Sequence, residues 1–340
     1  MEVFFLDMAQ GTCQVILLGE RRAIVIDCGI PMDRIVLQFL RRIGVEHIER
    51  LVVSHSHDDH IGGAVSVLGA YQDRISKICF VQDHLFLQSA FWGRISELLM
   101  DQKLAKDQLV RLEASDRPQE IWTDNLKSYR LRTYSPSAAE NLLAQEAETP
   151  NPTSAVLFLD VRKQRIIFAA DSDVTQWREI HRKYGRRMKC EVLAVPHHAG
   201  RSHSSAEDLE WLFDHALEVG VAVISVGTTN THGHPRKDVV EAMSRRGTKI
   251  LCTQFTRQCN SNIRDLEFLR PGVLQPQLFL GRSSPTKDLT DAGHSRNVAC
   301  AGTVKIDVTG AGFVIDRLSE HQRAIDELFS KSIACPLCRT

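Results

Sequence analysis

The chain has 340 residues, 43% hydrophobic and 25% charged, with Lys+Arg and Asp+Glu both at 42. That is the profile of a globular protein with enough chain to bury a core without disulfide staples. Zero net charge excludes a globally anion-seeking surface, so attraction to nucleic acid has to be local, and no stretch approaches the roughly 20 apolar residues of a membrane span.

The opening MEVFFLDMAQG has no basic segment and no small-residue cleavage site, which predicts a cytoplasmic location. Residues 3–8, 13–18 and 23–27 read as three short strands joined by Gly-containing turns, and 33–43 as a helix stopped by Gly44. Residues 51–54 form a buried strand that runs into HSHDDH, and 78–81 form another. Residues 85–117 read as mostly helical, and 136–152, ending in TPNP, as a loop. A second series of strands is predicted at 155–160, 166–169, 192–195 and 221–226, with a helix at 175–184. A helix at 237–246 and a strand at 249–253 follow. The pattern breaks off at 260–297, an irregular insertion, and resumes at 298–340 with a hairpin (303–308 and 313–315), a helix (320–329) and a CPLCRT tail. This alternation predicts one α/β layered domain over 1–340, not a bundle.

The strongest signal is His55-Ser-His57-Asp-Asp59-His60, three imidazoles and a carboxylate in six residues directly after a buried strand. In a tight loop His55 and His57 can face one metal ion, and Asp59 and His60 a second. Imidazole with carboxylate suits zinc, manganese or iron. Asp171 ends another apolar strand, where a lone buried carboxylate would be costly without a cation; an N-cap role is the alternative. His197 and His198 follow a third strand. Neighbours on extended backbone point opposite ways, so one is expected to ligate and the other to face substrate, with His197 favoured.

These blocks carry a resemblance. HSHDDH is similar to the HxHxDH motif of the metallo-β-lactamase superfamily. FLDMAQG at 5–11, VIDCG at 25–29, NPTS at 151–154, AADSD at 169–173, VPHHAGRSHSS at 195–205 and SVGTTNTHGHP at 225–235 resemble, in order, the hydrolase domain of ComEC-type DNA-uptake proteins. The resemblance implies an αββα sandwich of two mixed sheets flanked by helices. It implies a dinuclear site holding two divalent ions, Zn or Mn, that activates a bridging hydroxide. Asp171 would bridge the ions; Asp59, Asp171 and His234 would be the catalytic residues. Asn151 stands where many superfamily members carry a third His. Asp27 is placed to hold a ligand ring, a plain turn Asp being the alternative.

The resemblance also implies a phosphodiesterase or nuclease acting on DNA or RNA. Arg182, Lys183, Arg186, Arg187 and Lys189 form a basic stretch between Asp171 and His197 that would draw a polyanion, or else a solvated helix face. Competing readings are a hydrolase of a small phosphoester, lactone or thioester, and a non-catalytic module binding a protein partner. Separately, Cys335-Pro-Leu-Cys338 is half a zinc site. With Cys259 and Cys300, both in polar loop-like contexts, it predicts one structural zinc, His294 being a substitute ligand and reduced thiols or a redox pair the alternatives.

Overall fold

A computed structural model describes all residues except 30–32, 144–148, 186, 202–203, 229, 260–298, 311, 317 and 331–340. The chain first lays down β1 (Glu2–Phe5), β2 (Gln14–Gly19), β3 (Arg22–Ile26), helix α1 (Asp33–Arg42) and β4 (His47–Val53). Helices α2 (Asp58–Ile61) and α3 (Ala64–Tyr71), β5 (Ile75–Phe80), α4 (Ala90–Met100) and β6 (Leu109–Arg111) complete the first half. The second half holds β7 (Gln119–Thr123), β8 (Tyr129–Ser135), α5 (Ala138–Leu143), β9 (Val156–Val161), β10 (Gln164–Phe168), α6 (Val174–Tyr184) and β11 (Met188–Ala194). It continues with α7 (Ala206–Trp211), β12 (Leu217–Ile224), α8 (Lys237–Ser244) and β13 (Lys249–Cys252), and then β14 (Val304–Thr309), β15 (Gly312–Ile315) and α9 (Leu318–Ser330).

Two mixed sheets result, ordered β15-β14-β1-β2-β3-β4-β5-β6 and β13-β12-β11-β10-β9-β8-β7. Their inner faces meet in a core that includes Val3, Phe5, Ile24, Val52, Leu157, Ile166, Phe168, Val192 and Val223. Phe39 of α1, Leu68 of α3 and Ile95 of α4 cover the outer face of the first sheet. Trp177 of α6, Leu209 of α7, Val240 of α8 and Ile325 of α9 cover the second. These are the α/β/β/α layers that the resemblance implies. Because both faces of the central strands are buried, their sequences read as unbroken apolar runs rather than alternation.

Three segments differ from the sequence reading. Within 85–117 only Ala90–Met100 is α-helical, and Leu109–Arg111 joins the first sheet beside β5. The expected loop at 136–152 contains α5. Strands β7 and β8 escaped notice because their exposed faces are polar: Arg132 points out to pair with Asp160 across the β8–β9 ladder, while Leu131 is buried. The C-terminal hairpin is part of the first sheet, since Val3 pairs with Ile306.

Strands β3, β4 and β5 run parallel, as do β10, β11, β12 and β13. The turns after β4, β10, β11 and β12 therefore emerge along a common edge. Open parallel sheets bind their ligands at such carboxyl ends.

Candidate metal centre

Each turn along this edge delivers one part of the site. After β4 the chain gives His55 and His57, and α2 then presents Asp59 and His60 from a single helical turn. The loop is held from outside. Thr12 N–H donates to the Asp59 carbonyl at 2.8 Å, Cys28 N–H to the His60 carbonyl at 2.7 Å, and Gly63 N–H to the Cys28 carbonyl at 2.6 Å. This lacing explains Gly29, where an added Cβ would come within 2.0 Å of the Asp59 carbonyl oxygen. Asp83, buried behind the loop, accepts the Ser56 N–H at 3.0 Å.

Two triads of donors result. His55, His57 and Asp171 bring one ligand atom each within 4.8 Å of one another, and so do Asp59, His60 and His198. Asp171 touches both sets: its Oδ2 lies 3.8 Å from His55 Nε2, and its Oδ1 lies 3.0 Å from His60 Nε2 and 3.9 Å from His198 Nε2. His198 Nε2 is 3.2 Å from Asp59 Oδ2.

The rings are oriented from behind. Asp27, at φ 57° in the left-handed region, accepts from Ser54 N–H at 2.8 Å and Ser54 Oγ–H at 2.7 Å, and takes His60 Nδ1–H at 2.8 Å. His198 Nδ1–H donates to the Ser225 carbonyl at 2.8 Å. Both contacts leave Nε2 facing inward, the arrangement that fixes the tautomer of a metal-binding histidine. Burial pushes the His60 imidazole down, but Asp171 and Asp27 outweigh it and hold it well above its ordinary value. Burial pushes Asp171 up, yet His60, His55 and His198 bring it well below the usual carboxylate range. His55, buried and beside His60, is pushed well down and offers a neutral lone pair.

His60 Nε2, His198 Nε2 and Asp171 Oδ1 are buried, and among the described residues none has a hydrogen-bond partner. Three buried polar atoms converging without hydrogen-bond geometry would be costly in the absence of a cation. Four imidazoles with two carboxylates is also the donor chemistry that divalent zinc or manganese takes. The residues present therefore fit a pair of divalent ions.

The expectation for the histidine pair is corrected here. The backbone at His197 and His198 is not extended but lies in the left-handed region, at φ 49° and 52°, with Ala199 following at 60°. That turn carries His198 inward to the Asp59–His60 group and leaves His197 at the rim, its side chain 25% exposed and its Nε2 3.7 Å from Asp171 Oδ2. His234 is brought to the same rim by Asn230, which accepts the His234 N–H and donates to its carbonyl, both at 2.9 Å. Gly200 lets the ring pack close, since a Cβ there would lie 2.7 Å from His234 Nε2. Burial, then the neighbouring His198 and His197, lower His234 to about 4.

Asn151 sits in the turn before β9, buried, with Oδ1 lacking a hydrogen-bond partner among the described residues. It belongs to neither triad. The basic stretch does not adjoin the site. Arg182 and Lys183 close the far end of α6 on Glu179, Lys189 pairs with Glu191, and Arg187 donates to the Leu217 and Phe213 carbonyls. Roughly 17 Å of strand separates Lys189 from Ala194, so closeness in sequence to Asp171 and His197 is not closeness in space; Arg186 lies outside the described residues. Cys259 and Cys300, read as polar-loop residues, are buried in the outer core of the second sheet; Cys335, Cys338 and His294 lie outside the described residues.

A family model described as the metallo-beta-lactamase superfamily matches residues 8–227. The chain belongs to the metallo-β-lactamase superfamily. It is 22% identical over 223 residues to ComE operon protein 3 of Bacillus subtilis, covering 65% of this chain and 25% of that protein. It is 23% identical over 267 residues to recombination protein 2 of Haemophilus influenzae, covering 77% of this chain and 29% of that protein. The chain thus spans about a quarter of the length of these relatives. Among solved structures, the metallo-β-lactamase-fold protein YhfI of Bacillus subtilis is similar at a TM-score of 0.45 and 12% identity, covering 74% of this chain and 96% of that one. Among the described residues no helix is long and apolar enough to cross a membrane.

Ser54 and Asp83 were missed by sequence reasoning. Serine before the motif and aspartate after a strand carry no distinguishing pattern; only the buried hydrogen bonds reveal them. One consequence is measurable: Asp27→Asn keeps the side-chain shape but weakens the charge-assisted bond to His60. Metal affinity should fall about 10- to 100-fold, read by competition against a chromophoric chelator. Unchanged affinity would mean that Asp27 serves the fold only.

Proposed function

We propose that this chain is a phosphodiesterase, a nuclease in its natural setting. The observation that carries the reading is the lining of the cleft above the two triads. The cleft measures about 380 Å³, and every described residue that lines it is polar: Gln10, Asp58, Asp59, Asp171 and five histidines. Small-molecule sites of that size are usually lined by apolar and aromatic side chains. A lining of imidazoles and carboxylates, without an aliphatic side chain among the described residues, suits an anionic ester better than the acyl chain of a thioester or the body of a lactone. Exposed Arg236 follows His234 by two residues in the chain, its backbone N–H donating to the Ala199 carbonyl at 2.9 Å. The name of one relative, recombination protein 2, supports nucleic acid as the substrate.

His55, His57 and Asp171 would hold one divalent ion, zinc or manganese, and Asp59, His60, His198 and Asp171 the other. Such a pair supplies Lewis acidity toward a phosphoryl oxygen and lowers the pKa of a water toward neutrality. The chain's own residues do the rest. Asp27, Ser54 and the Ser225 carbonyl keep the ligand rings in one tautomer. His234, neutral and pinned by Asn230, donates a hydrogen bond to a phosphoryl oxygen. His197 stands across from it, its ring 5.4 Å away and close to perpendicular at 78°.

The test is a substrate panel on metal-loaded protein: bis(p-nitrophenyl) phosphate, single- and double-stranded DNA, RNA, a chromogenic cephalosporin and an acyl thioester. Hydrolysis of the phosphodiesters alone, lost on chelation, is expected. Turnover of the cephalosporin or thioester without phosphodiester cleavage overturns the proposal, and so does inertness toward the whole panel.

A further inference from the structure

Among the described residues that line the cleft, Gln10 alone carries no ionisable group. Its place is set by the turn between β1 and β2. Gly11 N–H donates to the Met8 carbonyl at 3.1 Å, Ala9 lies in the left-handed region at φ 54°, and Thr12 N–H closes onto the metal loop through the Asp59 carbonyl. Two glycines let neighbouring segments press on this turn. A Cβ at Gly29 would lie 2.8 Å from Gly11 Cα, and one at Gly227 would lie 2.9 Å from the Gln10 backbone nitrogen. The Gly227 carbonyl in turn accepts Asn230 Nδ2–H at 2.7 Å, and Asn230 is the residue that pins His234. One packed frame therefore presents both Gln10 and His234 to the cleft.

The Gln10 side chain has a buried end and an open one. Its Oε1 is buried and has no hydrogen-bond partner among the described residues, which leaves Nε2 as the end open to the cleft. A buried carbonyl without a donor lowers stability, and an apolar side chain of the same length would carry no such penalty. The glutamine is therefore not there for the fold. What it offers is a neutral N–H group that donates at every pH, and an anionic oxygen is the acceptor that gains most from such a donor.

We propose that Gln10 is a substrate-contacting residue whose side-chain N–H donates to a non-bridging oxygen of the phosphodiester, as a second donor with His234. The assignment rests on the phosphodiesterase reading of the cleft. Two donors carried by one frame hold the phosphoryl group in a single orientation, and they bind the free anion as well as the ester.

Metal-loaded wild-type protein, Gln10→Met and Gln10→Glu are to be compared by metal content, thermal unfolding, calorimetric binding of inorganic phosphate and kinetics on bis(p-nitrophenyl) phosphate. Gln10→Met should keep the wild-type metal content and unfold at or above the wild-type temperature. Its phosphate affinity and kcat/KM should each fall about 10- to 100-fold, the worth of a hydrogen bond to a charged group. Gln10→Glu, the same shape with an anion in place of the N–H, should bind phosphate more weakly still. Gln10→Met with wild-type phosphate affinity and kcat/KM overturns the assignment and leaves the phosphodiesterase reading standing. Loss of metal in step with the loss of rate also overturns it, because Gln10 would then act by supporting the ligands. Wild-type protein that cleaves no phosphodiester fails the reading of the cleft instead, and the assignment falls with it.

Discussion

Asp171→Ala protein, dialysed and analysed by elemental mass spectrometry, should lose both cleft metals, and its phosphodiesterase activity should fall by about 10³-fold or more. The reason is geometric. Asp171 turns its two carboxylate oxygens to different triads, Oδ1 toward His60 and His198 and Oδ2 toward His55. Losing several kcal/mol of charge stabilisation in the transition state corresponds to three or more powers of ten in rate. His57→Ala gives the comparison, since His57 belongs only to the first triad; it should lose one ion and keep the other. If Asp171→Ala retains both ions, the carboxylate is not a shared ligand; nor is it the cap of α6, a place that Asp173 takes by accepting the Gln176 N–H at 3.0 Å.

His234→Ala should behave in the opposite way, keeping its metal content while kcat falls about 10²- to 10³-fold, the loss seen when one donor to a developing negative charge is removed. His234 is in neither triad, yet it lines the cleft and is fixed through its backbone by Asn230. Steady-state kinetics on a small phosphodiester, with metal content measured on the same preparation, separates the two cases. A fall in metal content that tracks the fall in rate would show that His234 acts by supporting His198, whose ring lies 6.1 Å from its own.

Much of this was legible in the residues, because some constraints are local. A motif such as HSHDDH packs four donors into one loop and one helical turn, so no tertiary information is needed to see them as a group. Asp171 at the end of an apolar strand announced an unusual charge for the same reason. What escaped notice depended on features that sequence spacing does not carry. The inward placement of His198 and the rim placement of His197 rest on a left-handed turn, where extended-chain reasoning gave the wrong backbone geometry. The basic stretch from Arg182 to Lys189 looked close to the site because Asp171 and His197 flank it in sequence, but β11 runs the depth of the sheet between them. Strands β7 and β8 lack apolar faces on the solvent side. Cys259 and Cys300 flank a polar segment, and only the packing in three dimensions shows that both are buried in the outer core of the second sheet.

The pairing of β14 with β1 bears on how the molecule is made. Val3 and Ile306 are partners in the ladder, about 300 residues apart in the chain. At the usual rate of synthesis, about 5–20 residues per second, β1 emerges roughly 15–60 s before the strand that covers its free edge. During that interval the first sheet ends in an open row of backbone donors and acceptors, the feature that invites pairing with other chains. Such a distant contact also slows closure of the native topology. Cells producing this protein should therefore depend on chaperones that hold the nascent amino-terminal half, and truncations that remove β14 and β15 should aggregate even though both donor triads remain in the chain.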